Sequence, residues 1–373
     1  MKTKHQIIIG NSQNLNKIAD NTINLVVTSP PYPMIEMWDE TFKNLNPDID
    51  KALKNKDGNI AYNLMHKELN KVWEEVNRIL VDGGIVCINI GDATRKLGDV
   101  FQLYSNHSRI IQFFENKNYQ VLPDILWRKQ SNKPNKFMGS GMLPPNAYVT
   151  LEHEYILIFR KKGNRIFKSK EEKINRQDSA YFWEERNQWF SDMWDDVKGT
   201  SQNINNKKLR VRNGAYPFEI PYRLINMYSV KGDLILDPFL GTGTTTIAAI
   251  ASERNSIGYE IDANFEDFIK KGIIESKDDS NDYISNRFKN HINFVNKRTQ
   301  EKGPLKHFSE KYNFDVMTNQ EKNLSLSCIN KITEKEDGLY ADYRIITSED
   351  IEKENILKKE NKKSTQLTFD FLS

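Results

Sequence analysis

The stretch LILDPFLGTGTTTIAAIASERNSIGYEID, residues 234–262, has the pattern of a strand, a tight glycine loop, a helix and a second strand. Gly241 and Gly243 allow the backbone to turn sharply and to approach a ligand closely. The helix predicted from Thr244 to Ser252 offers N–H groups without helical partners at its start. Glu260 ends the second strand, where a carboxylate can accept both hydroxyls of a ribose. The stretch therefore predicts a nucleoside-binding part of an α/β sheet.

The glycine loop does not match the motifs that bind pyrophosphate. A dinucleotide fingerprint has a third glycine where Thr246 stands, and a P-loop has a lysine, which does not follow Gly243 here. Asp237, just before the loop, suits a ligand with a positive charge, such as the amino group of S-adenosylmethionine. A purely structural turn is the alternative reading of an isolated Gly-X-Gly, and a second motif in the chain argues against it.

That second motif is TSPPY, residues 28–32, which follows the apolar run Leu25-Val26-Val27. Two consecutive prolines cannot continue a strand, because each lacks an N–H and has a fixed φ. The strand therefore ends there, and a serine and a tyrosine follow it on a rigid turn. A hydroxyl and an aromatic ring held in this way at the end of a buried strand indicate a binding or catalytic site.

The rest of the first half alternates between strand and helix patterns. We predict strands at residues 6–9, 24–28, 85–90, 121–127 and 155–159, and helices at 64–80 and 109–114, with Asp82-Gly83-Gly84 ending the first of these helices. A later helix is predicted at 217–228. The alternation indicates an α/β sheet with helices on its faces. The last hundred residues are charged and rich in asparagine, and we predict no clean fold for them.

Composition places the chain among ordinary soluble proteins. It has 373 residues, of which 38% are hydrophobic and 28% charged, and no apolar stretch approaches the ~20 residues that span a bilayer. The two cysteines, Cys87 and Cys328, have no metal spacing, which favours a reducing, cytoplasmic location. Residues 128–212 contain 18 Lys+Arg and 10 Asp+Glu, a local charge of +8, while the whole chain carries +3. This basic region indicates a polyanionic partner, although a solvated lysine-rich face would have the same charge.

Together, TSPPY and DPFLGTGTT resemble the amino-group DNA methyltransferases, which modify cytosine N4 or adenine N6. The catalytic motif precedes the cofactor motif, the permuted order called the β class. Weaker similarities are found in IGNS (9–12), DGGIVCINIGD, LEHEYILIFRK and YPFEIPYRLI. In IGNS, family members often have Asp where Asn11 stands. The resemblance covers about residues 6–262. It implies a Rossmann-like α/β sheet with an inserted target-recognition region, in which the strand ending at Asp237 lies beside the strand ending at Thr28.

The resemblance also implies roles for individual residues. The catalytic residues would be Ser29, Pro30, Pro31 and Tyr32. Those that bind the cofactor, S-adenosyl-L-methionine, would be Asn11, Asp237, Pro238, Phe239, Gly241, Gly243, Thr244 and Glu260. An exocyclic amine is a poor nucleophile because its lone pair is delocalised into the ring. Ser29 Oγ and the Pro30 carbonyl would accept its hydrogen bonds and free that lone pair, and Tyr32 would stack on the flipped base, which contributes ~1–3 kcal/mol.

Residues 128–212 would then contact double-stranded DNA. The candidate contacts are Arg128, Lys129, Lys133, Lys136, Arg160, Lys161, Arg210 and Arg212. The aromatic cluster at 181–194 is either a small core, which we favour, or a wedge that fills the place of the flipped base. His153 and Glu154 lack a third metal ligand, and the reaction needs no metal. Asp39 and Asp92 fit the pocket and a surface or capping role equally well.

Serine at the first motif position is typical of the cytosine-N4 enzymes, so we expect cytosine, with adenine N6 as the alternative. A methyltransferase of RNA or of a protein amide is a more distant alternative, because those relatives resemble the Asn/Asp-Pro-Pro-Tyr form and usually have the cofactor motif first. A non-catalytic DNA-binding protein that retained the fold is another. The intact motif residues argue against it.

We divide the chain into four parts: a catalytic half (1–127), a target-recognition insertion (128–215), a cofactor-binding half (216–275) and an extension of unknown role (276–373). The insertion, up to about residue 160, can include a last sheet strand.

The resemblance implies a restriction-modification system, in which a cognate endonuclease would be a functional partner. The end of the tail, QLTFDFLS (366–373), is similar to a sliding-clamp-binding peptide. A terminal strand docked on the protein itself is the favoured alternative.

Overall fold

The structure is a computed structural model in which residues 1–129, 139–198 and 216–350 are described. Lys133, Lys136, Arg210, Arg212 and the tail QLTFDFLS lie outside the described residues. In the described ranges the strands are β1 (Lys2–Ile9), β2 (Ile23–Thr28), β3 (Leu80–Ile90), β4 (Ala93–Leu97), β5 (Val100–Tyr104), β6 (Gln120–Arg128), β7 (His153–Arg160), β8 (Met193–Trp194), β9 (Leu234–Asp237), β10 (Asn255–Glu260), β11 (His307–Ser309), β12 (Phe314–Val316), β13 (Ser327–Lys335) and β14 (Gly338–Ile345). The helices are α1 (Asp39–Leu45), α2 (Pro47–Lys54), α3 (Gly58–Ile79), α4 (Asn106–Asn116), α5 (Lys170–Asp178), α6 (Trp183–Trp189), α7 (Glu219–Tyr228), α8 (Thr244–Ala251), α9 (Glu266–Glu275) and α10 (Lys277–Lys302).

The centre of the molecule is a sheet of ten strands in the order β13-β14-β1-β10-β9-β2-β3-β7-β6-β8. The strands from β1 to β3 in this order run parallel, and β7 and β6 continue the sheet in antiparallel pairs. Alternate residues of β2 point to opposite faces, so that Val26 belongs to one hydrophobic core and Leu25 and Val27 to the other. The predicted α/β class is confirmed.

The strand that ends at Asp237 lies beside the strand that ends at Thr28, as the motif resemblance implied. β9 and β2 pair in parallel, with Leu25 opposite Ile235. From β9 the chain continues through α8 to β10 on one side, and from β2 it continues through α3 to β3 on the other side. The strand order therefore reverses between β9 and β2, and this is where ligands bind in open α/β sheets.

The boundary between α3 and β3 differs from our prediction. The helix extends from Gly58 to Ile79, and β3 begins at the next residue. Asp82-Gly83-Gly84, expected to separate the helix from the strand, lies within β3 instead. Gly83 adopts φ +78° and its N–H donates to the Lys161 carbonyl at 2.6 Å. The glycines therefore permit an irregular strand start that pairs with the chain after β7.

The aromatic cluster at 181–194 forms a core, as we favoured. Phe182, Trp189 and Trp194 are buried between the sheet and helices α7 and α10, and β8 adds to the sheet edge beside β6. Within the predicted insertion, β7 provides the additional sheet strand that we allowed for. The four-part division of the chain remains a prediction.

The described part of the C-terminal extension has a fold that we did not predict. The hairpin β13–β14 extends the sheet beyond β1, with Lys2 opposite Asp342. Helix α10 packs on the core, where the Arg287 guanidinium donates to both carboxylate oxygens of Glu185 at 2.5 and 2.7 Å. Among the helices of the described ranges, none combines the length and the apolar character that a membrane span requires.

Candidate active site

A cavity of about 350 Å³ opens at the carboxyl ends of β2 and β9. Both sequence motifs contribute to its wall, although they are far apart in the sequence. Its lining includes these predicted site residues: Asn11, Ser29, Pro30, Pro31, Tyr32, Asp237, Pro238, Phe239, Gly241, Thr244 and Glu260. The permuted motif order is therefore compatible with one common site, because the sheet brings the two loops together.

Gly243 is a predicted cofactor residue that is absent from the cavity lining. It has φ +87°, and a Cβ at this position would lie 2.9 Å from Ile269 Cγ2 of α9. Gly241 has φ +55°, but the nearest atom to a Cβ at that position would be Phe239 O at 3.9 Å. Gly241 thus gives a ligand access to the backbone, whereas Gly243 allows the loop to pack closely on α9.

The Asp237 carboxylate connects the two motifs. Its Oδ1 accepts hydrogen bonds from Thr28 Oγ1 at 2.6 Å and from the Phe239 N–H at 3.0 Å, and its Oδ2 accepts from Thr245 Oγ1 at 2.5 Å. The Tyr216 hydroxyl hydrogen-bonds to Thr245 Oγ1 at 2.5 Å. Burial raises the pKa of Asp237, and the hydrogen bonds from Thr245, Thr28 and Phe239 oppose that shift. Asp237 therefore fixes TSPPY relative to the glycine loop, in addition to lining the cavity.

Glu260, the last residue of β10, lines another part of the cavity. Its Oε2 accepts a hydrogen bond from the Gly241 N–H at 3.0 Å, and its Oε1 accepts from the Asp262 N–H at 2.9 Å. Both bonds fix the orientation of a carboxylate that lines the cavity. This orientation supports the predicted role in binding ribose hydroxyls.

The hydroxyl groups of TSPPY belong to a hydrogen-bond network that the sequence did not reveal. The Tyr32 hydroxyl donates to Glu154 Oε2 at 2.9 Å and accepts from Asn89 Nδ2 at 2.8 Å. Asn89 Nδ2 also donates to Glu154 Oε2 at 2.7 Å. Ser29 Oγ lies 3.2 Å from the Tyr32 hydroxyl. Since the only proton of the Tyr32 hydroxyl is directed to Glu154, Ser29 is the donor in this contact.

This direction leaves the lone pairs of Ser29 Oγ available to a ligand in the cavity. Burial, and next the Glu154 carboxylate, raise the pKa of the Tyr32 hydroxyl well above its ordinary value. Tyr32 therefore retains its proton at neutral pH, and the network keeps one direction. The ring of Tyr32 is held as well, because a Cβ on Gly91 would lie only 2.9 Å from Tyr32 Cε2.

Glu154 and Asn89 reach the site through the antiparallel pairing of β7 with β3, in which Asn89 lies opposite Ile156. From the sequence, Glu154 is a metal-ligand candidate that lacks a third ligand; in the structure it is an acceptor in the Tyr32 network. The available signal was a pair of polar residues, His153 and Glu154, at the start of a strongly apolar strand. Tyr216, Thr28 and Thr245 were also missed, because their contacts depend on the packing of separate elements.

Lys129 lies at the rim of the cavity and donates from Nζ to Glu154 Oε1 at 2.8 Å. Its side chain is half exposed. Arg128 next to it is exposed and lies 3.4 Å from Glu152. Both residues therefore lie where β6 ends, at the cavity end of the sheet.

Arg160 and Lys161 lie at the opposite end of the sheet, and we withdraw them from the predicted DNA contacts. Arg160 is opposite Ile85, near the start of the parallel part of β3. Lys161 is buried and donates from Nζ to the carbonyls of Asn77 and Leu80 at 2.6 and 2.7 Å. The Lys161 ammonium group therefore donates to carbonyls at the end of α3, which have no partners within the helix.

The two acidic residues with open roles are both held by protein contacts. Asp39 accepts two hydrogen bonds from the Arg95 guanidinium at 2.8 and 2.7 Å. Asp92 interacts with the His107 ring and N–H at the start of α4. Neither side chain lines the cavity, which favours their structural role.

The lining residues fit a nucleoside cofactor without phosphate groups. Among the described lining residues, Lys129 is the one cation, already paired with Glu154. The lining also contains four carboxylates, those of Glu68, Glu154, Asp237 and Glu260. Apolar walls continue from Glu260 to Ile261 and Phe265. A positively charged ligand with a ribose and an aromatic ring suits this lining, whereas a pyrophosphate does not.

Comparison with known proteins agrees with this geometry. Residues 23–271 match the family model of the N6/N4 methyltransferases, described as DNA methylase. The type II methyltransferase M.MthZI of Methanothermobacter thermautotrophicus is 60% identical, over 87% of this chain and 91% of its own length. M.MjaI of Methanocaldococcus jannaschii, also a type II methyltransferase, is 54% identical over 73% of this chain and 91% of its own length. The structure of a DNA modification methylase from Thermus thermophilus in complex with S-adenosyl-L-methionine superposes with a TM-score of 0.55 and 28% identity, covering 73% of this chain and 95% of that one.

Proposed function

This chain belongs to the N6/N4 DNA methylase family, and we propose that it transfers the methyl group of S-adenosylmethionine to the N4 amino group of a flipped-out cytosine in a short DNA sequence. Its identification as an S-adenosylmethionine-dependent DNA methyltransferase of the restriction-modification kind follows from the family and its relatives. The proposal adds the base and the roles of individual residues. The observation that carries it is the Ser29 hydroxyl, directed by Tyr32 so that its lone pairs face the cavity.

Ser29 Oγ and the Pro30 carbonyl accept the two N–H groups of the target amine. These hydrogen bonds draw the amine nitrogen toward a tetrahedral shape and free its lone pair for attack. Because the hydroxyl proton of Ser29 is engaged by Tyr32, Ser29 acts as an acceptor without a competing donor role. Pro30 and Pro31 keep the acceptors in place, so the step depends on positioning and electrostatics.

The cofactor contacts follow from the lining of the other half of the cavity. Glu260 binds the ribose hydroxyls, Asp237 faces the charged amino acid portion, and Gly241 allows close approach to the backbone. When bound, S-adenosylmethionine supplies an electrophilic methyl group on a sulfonium. Because Asp237 also holds Thr28 at 2.6 Å, the carboxylate fixes the cofactor loop and the catalytic turn as one unit.

The Tyr32 ring stacks on the flipped base and its hydroxyl directs Ser29. Extrusion of a paired base costs a few kcal/mol, and stacking on an aromatic ring returns ~1–3 kcal/mol. Tyr32 is partly exposed at the cavity wall, and its hydroxyl network and Gly91 fix the ring orientation. Lys129 and Arg128 at the rim contact phosphates of the duplex.

Serine in place of aspartate at the first motif position favours cytosine N4 over adenine N6. The restriction-modification kinship makes a cognate endonuclease a functional partner, so methylation would protect host DNA. Adenine N6 is the second candidate, since an acceptor pair of the same kind suits either amine.

The test is to incubate the purified protein with tritiated S-adenosylmethionine and unmethylated genomic DNA, digest the DNA to nucleosides and separate them by chromatography. We expect label in N4-methylcytosine, and much less of it with Ser29→Ala. Label in N6-methyladenine would retain the mechanism and contradict the choice of base. A matched control is Ser108→Ala, an exposed serine of α4 outside the cavity lining, which should leave the label at the wild-type level.

A further inference from the structure

The loop between β6 and β7 exposes a set of large apolar side chains without a partner in the described structure. We call residues 139–151 the loop tip. Within it the exposed fraction is 84% for Met142, 70% for Leu143 and 84% for Val149. Single exposed apolar residues are ordinary on protein surfaces, but several in one protruding segment indicate a contact surface.

The loop tip is built as a defined turn. The Ser140 N–H donates to the Asn146 carbonyl at 2.9 Å, and Gly139 forms a bridge with Ala147. The Tyr148 ring stacks on Phe101 of β5 with 4.5 Å between ring centroids. These contacts attach the base of the turn to the β4–β5 hairpin and leave Met142 and Leu143 at its end, pointing away from the protein core.

The position of the loop tip relative to the cavity is fixed by the strands that carry it. Both strands reach the loop at the cavity end of the sheet, where the Lys129 N–H donates to the Glu152 carbonyl at 2.8 Å. Lys129 lines the cavity, and Glu154 in β7 belongs to the Tyr32 network. The loop tip therefore projects from the rim through which a flipped base would enter.

The charge around the loop tip favours a nucleic acid as the partner. From Arg128 to Glu154 the sequence contains four basic residues, Arg128, Lys129, Lys133 and Lys136, and two acidic residues, Glu152 and Glu154, a net charge of +2. A basic segment with an apolar end suits a duplex, because phosphates attract the cations and exposed base faces accept the apolar side chains. A second protein chain as the partner would account for the exposed apolar side chains but not for the basic residues beside them.

We propose that Met142 and Leu143 enter the base stack of duplex DNA at the place that the target base vacates. This inference rests on the proposed function and adds the element that stabilises the opened duplex. Extrusion of a base leaves a gap between two apolar base faces, and the loss of its pairing and stacking costs a few kcal/mol. Unbranched or flexible apolar side chains fill such gaps in proteins that kink or open DNA. In the aromatic cluster at 181–194, the other candidate for a wedge, Phe182, Trp189 and Trp194 are buried. Its Trp183 and Phe190 are 37% and 38% exposed, about half as much as Met142 and Leu143.

The experiment compares methylation of two duplexes by the Met142→Ser/Leu143→Ser variant. The recognition sequence is first obtained by mapping methylated positions in DNA modified by the wild-type protein. One duplex has the target base paired, and the other has an abasic site opposite the target, so that no base pair must be opened. Ile166→Ser is the control, because Ile166 is an apolar residue 71% exposed outside this loop.

We expect the double variant to methylate the paired duplex about tenfold or more slowly than wild type, and the abasic duplex at close to the wild-type rate. Ile166→Ser should match wild type on both duplexes. An equal loss on both duplexes, or no loss on the paired one, would overturn the wedge. Transfer of no label to either duplex by the wild-type protein would instead overturn the proposed function.

Discussion

Replacement of Tyr32 by phenylalanine tests the hydrogen-bond direction at the catalytic turn, because it removes one hydroxyl and retains the ring. The hydroxyl lies 3.2 Å from Ser29 Oγ, 2.9 Å from Glu154 Oε2 and 2.8 Å from Asn89 Nδ2. Glu154 and Asn89 remain bonded to each other at 2.7 Å in the variant. The main local consequence is that the Ser29 hydroxyl loses its acceptor and rotates freely.

The magnitude follows from the type of bond. A neutral hydrogen bond of this length contributes about 1 kcal/mol, which corresponds to about a fivefold change in rate. We expect the single-turnover rate of methyl transfer, measured with tritiated S-adenosylmethionine and excess enzyme, to fall about fivefold in Tyr32→Phe. Base stacking is retained, so the fluorescence of 2-aminopurine at the target position should rise as it does with wild type. Tyr32→Ala, by contrast, should reduce both signals.

A double-mutant cycle with Ser29→Ala identifies the path of the effect. If the Tyr32 hydroxyl acts by directing the Ser29 proton, Tyr32→Phe should change the rate less than about twofold in the Ser29→Ala background. A fivefold loss in both backgrounds would show that the Tyr32 hydroxyl acts independently of Ser29. No loss in the wild-type background would show that the 3.2 Å contact does not orient the serine.

Three further predictions concern the cofactor loop and the core. Gly243→Ala should lower the melting temperature, because its Cβ would lie 2.9 Å from Ile269. Gly241→Ala should mainly weaken cofactor binding measured by calorimetry. The reverse pattern would contradict the assignment of Gly243 to loop packing and of Gly241 to ligand access. Glu260→Gln should raise the Kd of S-adenosylhomocysteine about tenfold. The reason is that the glutamine NH2 group would replace an oxygen that accepts from a backbone N–H, so that two donors would face each other. An unchanged Kd would exclude Glu260 from ribose binding. Burial lowers the pKa of His5 to about 3, so between about pH 6.5 and pH 3 the unfolded chain binds a proton that the folded chain does not, and stability falls as the pH falls. From about pH 6 to pH 5, the free energy of unfolding measured with urea should decrease by about 1 kcal/mol more for wild type than for His5→Asn. Equal decreases would contradict this.

The parts of the site that could be predicted are those where the local sequence itself restricts the backbone. Consecutive prolines end a strand, and Gly241 and Gly243 mark a turn with positive φ. Because these constraints are local, they hold regardless of what packs around them. The parallel pairing of β9 with β2 was accessible only through the motif resemblance, since strand order is a property of the whole sheet.

The parts that could not be predicted depend on long-range packing. Glu154 reaches Tyr32 because β7 runs antiparallel to β3, and the sequence of β7 contains no indication of its partner. Lys161 was assigned to DNA from its charge, yet its position at the far end of the sheet buries it against the end of α3. Charge counts identify a basic region but not the face on which each cation lies.

Helix α10 is an intermediate case, because its sequence contains a helical pattern of buried residues. Its buried residues include Ile284, Phe288, His291 and Val295, at spacings of four, three and four, which is the pattern of one helix face. Intervening polar and charged residues hid this pattern in a segment for which we predicted no clean fold.

We expect one cavity to hold the cofactor and the flipped cytosine, with the amine against Ser29 Oγ and the Pro30 carbonyl. The most direct measurement is a crystal structure of the protein with S-adenosylhomocysteine and a duplex that contains the mapped recognition sequence. We predict an extruded cytosine stacked on Tyr32, with N4 within about 3.2 Å of both acceptors. A target base that remains in the duplex stack, or whose amino group is bound away from Ser29, would contradict the account.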